Sequence, residues 1–210
     1  MSRAAAVFDV DRTLVRGHTE RLFFWYLVRC GHLKIKDALA FLGRLAAHPH
    51  HRHQDKSYLR GLAVAETVRL ARECYDRLIA PRVSSVALAQ IRQHRKQGHE
   101  IVLLTGSLAF LMLPLKDAVG ADWLIATELE EKDHCFTGKI VGSHPRGRNK
   151  RLLLEHLSRQ QGFDLSRSYA YGDHGEDLAV FQMVGHPVAV NPSWRLRRLA
   201  RQRHWPIRFF

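Results

Sequence analysis

The sequence predicts an α/β fold, a doubly wound parallel sheet with a helical insertion after its first strand. Three observations predict it. Short apolar runs bounded by Gly, Asp or Asn alternate with longer helix-like stretches from residue 81 onward, the rhythm of strands joined by crossover helices. Residues 17 to 80 break that rhythm, with periodic apolar positions and few strand signals. The chain has 210 residues and 46% apolar content, enough to bury one substantial core, with or without an insertion.

In chain order, Ala4 to Phe8 is the first strand, ending on Asp9 and Asp11 with Thr13 just beyond. Residues 17–80 then form the helical insertion, which leaves 1–16 and 81–210 as the α/β core. Arg82 to Gln97 reads as a helix with Val83, Val86, Leu88 and Ile91 on its apolar side and Gly98 as its stop. Ile101 to Thr105 is the second strand, ending in a hydroxyl and continued by Gly106 and Ser107 at a turn. Leu108 to Val119 follows as a helix that Pro114 should kink or shift in its start. Trp123 to Thr127 is a strand, and Glu128 to Ser143 a hairpin containing Phe136 to Val141. Lys150 opens the next helix-like stretch, which reaches Gln161 and stops at Gly162. Tyr169 to Tyr171 and Pro187 to Val190 are the last two core strands, and Ser193 to Arg203 the last helix. We find no internal repeat.

In such a sheet the polar residues at the carboxyl ends of Ala4 to Phe8, Ile101 to Thr105 and Tyr169 to Tyr171 share one edge, where open parallel sheets bind ligands. Asp9, Asp11 and Asp173 there place several carboxylates close together. At ~4 Å and an effective dielectric of ~20, each like-charge pair costs about 4 kcal/mol before screening. The edge therefore needs cations. Mg²⁺ favours one or two carboxylates plus phosphate oxygens, and the Thr105 hydroxyl with the backbone N–H groups of Gly106 and Ser107 suits a phosphate group. The chemistry indicated is phosphoryl transfer.

The segments Asp9-Val-Asp-Arg-Thr-Leu-Val15, Leu103-Leu-Thr-Gly-Ser107, Lys150 and Gly172-Asp-His-Gly-Glu-Asp-Leu178 resemble the haloacid dehalogenase (HAD) superfamily of aspartate-nucleophile phosphatases, subfamily IB, near the phosphoserine-phosphatase-like group. The resemblance spans most of the chain. It implies a Rossmann-like core with residues 17–80 as a cap that closes over the site, excludes water and selects the leaving group. It also implies that Asp9 is the nucleophile, Asp11 the acid and base, and Mg²⁺ the cofactor, held by Asp9, the backbone carbonyl of Asp11, and Asp173. Lys150 would meet the phosphate and keep Asp9 ionised, Thr105, Gly106 and Ser107 would bind the phosphate, and Asp177 would support the metal and Lys150 from behind. Arg12 stands where the family often has glycine or a small residue, and His174 where serine or threonine is common.

Within that group a glutamate nine residues after the nucleophile meets the amino group of phosphoserine. Here that position is His18, with Glu20 two residues further on. On a helix that displacement turns a side chain by ~200°, so Glu20 is expected to point away and phosphoserine to be a poor substrate. The expected substrate is a small phosphorylated metabolite or a lipid-derived phosphate.

Charge and cysteine use bound the partners. The excess of 13 positive charges attracts anions of many kinds. It allows weak association with an anionic membrane, calls for no obligate nucleic acid, and leaves the oligomeric state open. A rival class, a basic binding protein that keeps the fold without turnover, is disfavoured by the intact Asp9, Asp11, Lys150 and Asp173. Cys30, Cys74 and Cys135 are odd in number and widely spaced, which suggests reduced thiols and a cytoplasmic location. The apolar stretches Leu22 to Val28 and Leu108 to Leu115 are too short to span a membrane, and the N-terminus shows no secretory signal.

Three further patterns receive ordinary readings. His48 to His53 is a loop, because Pro49 and Arg52 spoil chelating geometry. Phe23 to Tyr26 belongs to the core of the insertion, since four consecutive aromatics cannot all face one way on a helix. Arg195 to Arg201 with the following Trp205 to Phe210 resembles a basic amphipathic membrane element; a final helix with a solvated Arg face and a short edge strand explains the same pattern and is the preferred reading.

Overall fold

The computed structural model describes residues 3–47 and 55–210. Strand β1 (Ala5–Phe8) leads into helices α1 (Thr19–Arg29), α2 (Ile35–Ala47) and α3 (Val64–Cys74), the last continued by a π-helical turn to Ile79. Then come α4 (Ser85–Lys96), β2 (Glu100–Leu108), α5 (Ala109–Val119), β3 (Trp123–Lys132), β4 (Cys135–Val141) and α6 (Arg148–Gln161). The chain closes with β5 (Tyr169–Gly172), the short α7 (Leu178–Phe181), β6 (His186–Val190), α8 (Trp194–Gln202) and β7 (Ile207–Arg208). The seven strands run in the order β4-β3-β2-β1-β5-β6-β7, all parallel except the β3–β4 pair. This is the α/β sheet the apolar runs predict.

The alternation of β1 across the sheet separates two cores. Ala6 and Phe8 join Ile91 of α4, Leu111 and Leu115 of α5, Phe23 and Leu27 of α1, and Leu70 of α3. Ala5 and Val7 join Leu154 of α6, Phe181 of α7, and Leu196 and Ala200 of α8. Phe8 is level with Leu103 of β2 and Tyr171 of β5, so the residues that follow each of these three strands meet at one edge.

Several elements begin or end away from their expected positions, each for a local reason. Helix α4 starts at Ser85 because Ser84 caps it, its Oγ accepting from the Ala87 N–H at 3.3 Å. Strand β2 continues through Gly106 and Ser107 to Leu108, with a register shift against β3 after Leu104. The two residues thus lie on an irregular strand end and not in a strand-to-helix turn. Strand β3 runs past Thr127 and is itself the first arm of the hairpin, which turns at Asp133 and His134, both in the left-handed region (φ 50° and 60°). Helix α6 begins at Arg148, placing Lys150 inside its first turn. Helix α5 runs through Pro114, which has no N–H to donate.

Of the four aromatics in α1, Phe23, Phe24 and Tyr26 are buried and Trp25 is exposed. Phe24 meets Phe41 and Tyr58 at ring-centroid distances of 5.5 and 5.3 Å, which makes this segment core. The histidine-rich stretch 48–53 lies outside the described residues. Cys30, Cys74 and Cys135 are unpaired, and no described helix is long and apolar enough to cross a membrane.

His94 on α4 is buried, with Nε2 2.7 Å from the Tyr171 hydroxyl and Nδ1 2.8 Å from Nδ1 of His99. Burial, helped by His99, pushes it down to about 4. An unfolded chain with His94 near ~6.5 binds a proton that the fold rejects, so this residue's stabilisation is complete above ~6.5 and is lost as pH falls toward 4. His94→Gln is expected to flatten the fall in melting temperature between pH 6.5 and 4; an unchanged profile would contradict the assignment.

Candidate active site

Asp9 follows β1, and its N–H donates to the Tyr171 carbonyl at 2.9 Å, tying it to the end of β5. Lys150 reaches across from the first turn of α6. Its Nζ donates to Asp9 Oδ1 and Asp177 Oδ1, both at 2.6 Å. Burial works to lower the Lys150 ammonium, but Asp177 and Asp9 outweigh it and hold the group above its usual value. Burial pushes the Asp9 carboxyl up to about 8; Lys150 opposes the rise, and Asp177 and Asp11 add to it. Asp173 is pushed up to about 6 by burial and Asp177, against Arg12, His174 and Lys150.

These directions have one cause: more carboxylates than cations share a dry space. Carboxylate oxygens of Asp9, Asp173 and Asp177 lie within 4.8 Å of one another. Asp173 Oδ2 is buried without a hydrogen bond, although the Arg12 Nε stands 3.3 Å away. An orphaned carboxylate oxygen inside an oxygen-rich cluster suits a hard divalent cation. The Asp11 side chain is not part of this group.

Asp11 is instead fastened to the start of α1. One of its oxygens accepts from the Thr19 N–H at 2.9 Å and from the Thr19 hydroxyl at 2.7 Å. Ser107 Oγ lies 2.9 Å from Thr19 Oγ1. Because the single Thr19 proton is committed to Asp11, Ser107 donates to Thr19. The chain Ser107, Thr19, Asp11 thus links β2, the start of α1 and the loop after β1. His18 stands beside Asp11, whose hydrogen bond raises it above the usual histidine range. Thr105 is buried, and its hydroxyl accepts from the Ser107 N–H at 3.1 Å, so that N–H is engaged within the strand end.

The carboxylates open into a cavity of ≈ 340 Å³, also lined by Arg12, His18, Glu20, Lys56, Thr105, Gly106, Ser107, His144 and Arg146. Glu20 does not point away. Helix α1 begins at Thr19, and His18 is extended (φ −116°), so the helical rotation assumed between His18 and Glu20 does not apply and both face the cavity. The Glu20 carboxylate is taken up by Lys56 Nζ, 2.7 and 2.6 Å from its two oxygens, and by the Tyr58 hydroxyl at 3.0 Å.

His144 is a second cavity residue that the motifs did not single out. Its Nδ1 lies 2.8 Å from Thr127 Oγ1, and that hydroxyl donates its proton to the Gly106 carbonyl at 2.8 Å. His144 Nδ1 is therefore the donor. Burial, with Lys56, Arg146 and Lys150 nearby, pushes the ring down to about 4, leaving neutral His144 with Nε2 as an acceptor. Arg146 pairs with Glu176. Arg12 adopts φ 64°, a left-handed conformation that glycine adopts without steric cost and arginine does not. Gly172 is needed for close approach: a Cβ there would lie 2.4 Å from Asp177 Oδ2 and would displace the carboxylate that holds Lys150.

The comparisons with known proteins agree with this architecture. The haloacid dehalogenase-like hydrolase family matches residues 6–182. Phosphoserine phosphatase SerB1 of Mycobacterium tuberculosis is 34% identical, covering 99% of this chain and 71% of the relative. A histidinol-phosphatase of Neisseria meningitidis is 26% identical over 96% of each chain. A crystal structure of a protein of unknown function from Bordetella pertussis Tohama I superposes with a TM-score of 0.87 at 26% identity, covering 99% of this chain and 98% of that one. The chain belongs to the haloacid dehalogenase-like hydrolase family. Within it, the chain is phosphoserine-phosphatase-like and falls among the phosphoric monoester hydrolases.

Proposed function

We propose that this protein is a Mg²⁺-dependent phosphatase that hydrolyses a small phosphomonoester through an aspartyl-phosphate at Asp9, with residues 17–80 acting as a cap over the core of 1–16 and 81–210. The observation that carries the reading is the cluster of Asp9, Asp173 and Asp177, in which Lys150 bridges Asp9 and Asp177 while Asp173 keeps an oxygen without a hydrogen bond. Lys150 fixes Oδ1 of Asp9 and leaves Oδ2 to attack phosphorus. As the Asp9 Oδ2–P bond forms and the ester P–O bond breaks, the Asp11 carboxyl gives its proton to the leaving alkoxide. Asp11 then takes a proton from water, which attacks phosphorus and releases Asp9 and inorganic phosphate. Asp9, Asp173 and the Asp11 carbonyl, with Asp177 behind them, would hold Mg²⁺, which would supply neutralisation of the phosphate charge. Thr105, Gly106 and Ser107 border the phosphate, and withdrawal of Thr19 from the site would free both Asp11 and the Ser107 hydroxyl for this work.

Phosphate release from p-nitrophenyl phosphate after chelator treatment tests the metal. Mg²⁺ is expected to restore turnover and Ca²⁺ to restore little, because the larger ion takes more ligands and would compete for the attacking oxygen of Asp9. Equal rates with the two ions would overturn this assignment.

Phosphoserine remains an unfavourable substrate, for a different reason from the spacing argument. Glu20 faces the cavity, but Lys56 already neutralises it, so a substrate ammonium would meet a bound ammonium. Phosphoserine is expected to rank well below the best compound in a panel of phosphorylated metabolites and lipid-derived phosphates. Lys56→Met, which frees the Glu20 carboxylate, should raise the relative kcat/KM for phosphoserine. Phosphoserine at the top of the wild-type panel would contradict this reading and make the protein a phosphoserine phosphatase proper.

A further inference from the structure

We infer that the outward face of α8 and the strand after it is a docking surface for an anionic phospholipid bilayer. From Leu178 to the C-terminus the chain has no Asp or Glu, yet it carries Arg195, Arg197, Arg198, Arg201, Arg203 and Arg208. All six are exposed. None forms an ion pair among the described residues, and with no acid from Leu178 onward none has a carboxylate on its own helix to pair with, as Arg69 has in Glu66 and Arg159 in Glu155. An unneutralised field of one sign on one face fits an anionic surface.

Two large apolar side chains stand in this field. Trp194 is 70% and Phe209 64% exposed. The Arg195 guanidinium lies 5.2 Å from the Trp194 ring centroid and that of Arg197 5.6 Å from Phe209. Exposed aromatic rings beside guanidinium groups suit the headgroup level of a bilayer, where an apolar body and a phosphate-binding cation are accommodated together. Single-stranded nucleic acid wants a groove whose rings offer free faces to successive bases. Here the rings stand on the outer side of a surface helix and strand, and each already faces an arginine, which favours the bilayer.

The mode of contact follows from packing. Leu196 and Ala200, the inward side of α8, are buried in the core, so the helix has no apolar stripe left to insert. Contact is peripheral, resting on charge with Trp194 and Phe209 as shallow anchors, and is therefore sensitive to salt. It also has an orientation. The Ser193 N–H donates to the Asp173 carbonyl at 2.9 Å, and Asn191 Nδ2 donates to the Arg12 carbonyl at 3.0 Å. The Trp194 end of the patch thus lies on the rim of the active-site cavity, and a docked molecule presents that rim to the surface.

Co-sedimentation with phosphatidylcholine vesicles, with and without about one third phosphatidylglycerol, tests the inference without reference to catalysis. The protein is expected to pellet with the anionic vesicles at 100 mM NaCl, to remain free with the neutral ones, and to dissociate at 500 mM. The triple variant Arg195→Gln, Arg198→Gln, Arg201→Gln should bind on the order of 100-fold more weakly with an unchanged melting temperature. Trp194→Ser, which keeps every charge, should also weaken binding. Failure of the wild type to pellet, equal binding by the triple variant, or an RNA oligonucleotide that displaces the protein from vesicles at equal phosphate concentration would overturn the bilayer assignment.

Discussion

Asp9→Asn is expected to abolish turnover, by more than about 10³-fold in kcat, while the protein stays folded. The substitution keeps the side-chain volume and removes the attacking carboxylate. Folding should not suffer, because asparagine keeps the shape of the side chain and Lys150 retains Asp177 as a partner at 2.6 Å. Phosphate release and a thermal melt check the two halves separately. Activity retained above a small fraction of wild type would remove Asp9 as nucleophile, and a collapsed melt would show that the carboxylate is needed for the fold.

Lys150→Ala should damage activity and stability together. Lys150 is 5% exposed and donates to two carboxylates at 2.6 Å each. Removing it leaves Asp9 and Asp177 buried without their counter-charge, a loss that typically costs ~3–5 kcal/mol. The melting temperature should therefore fall well below that of Asp9→Asn, and phosphate release should be lost. Arg148 and Arg151 are the neighbouring cations in the same helix. If Lys150→Ala behaves as wild type while Arg148→Ala is inactive, the cation has been misassigned.

Much of the sheet was legible because β1, β5 and β6 are short apolar runs closed by polar residues, a pattern with few alternatives. The carboxylate edge followed from the same runs, since parallel strands deliver their ends to one side. Other parts of the site depend on tertiary placement that no local pattern carries. Glu20 meets Lys56 and Tyr58 from a separate segment, and helical periodicity misled because His18 precedes the helix. His144, in the loop after β4, acquires its role only from Thr127 and Gly106, which lie on β3 and β2. The extension of β2 through Gly106 and Ser107 was hidden because glycine and serine are read as turn residues unless a neighbouring strand pairs with them. Arg12 in the left-handed region runs against local preference, and no local pattern in the sequence signals it.

The covalent step is the centre of this account, and acid-quenched turnover of p-nitrophenyl [³²P]phosphate by Asp11→Asn tests it most directly. The p-nitrophenolate leaving group needs no proton, so the first step proceeds, whereas water activation by Asp11 is gone and the intermediate should persist. The account predicts protein-bound label that is stable in acid, released by hydroxylamine, located on Asp9, and absent from the Asp9→Asn, Asp11→Asn double variant. A burst of p-nitrophenolate with no bound label, or label on any residue other than Asp9, would contradict it.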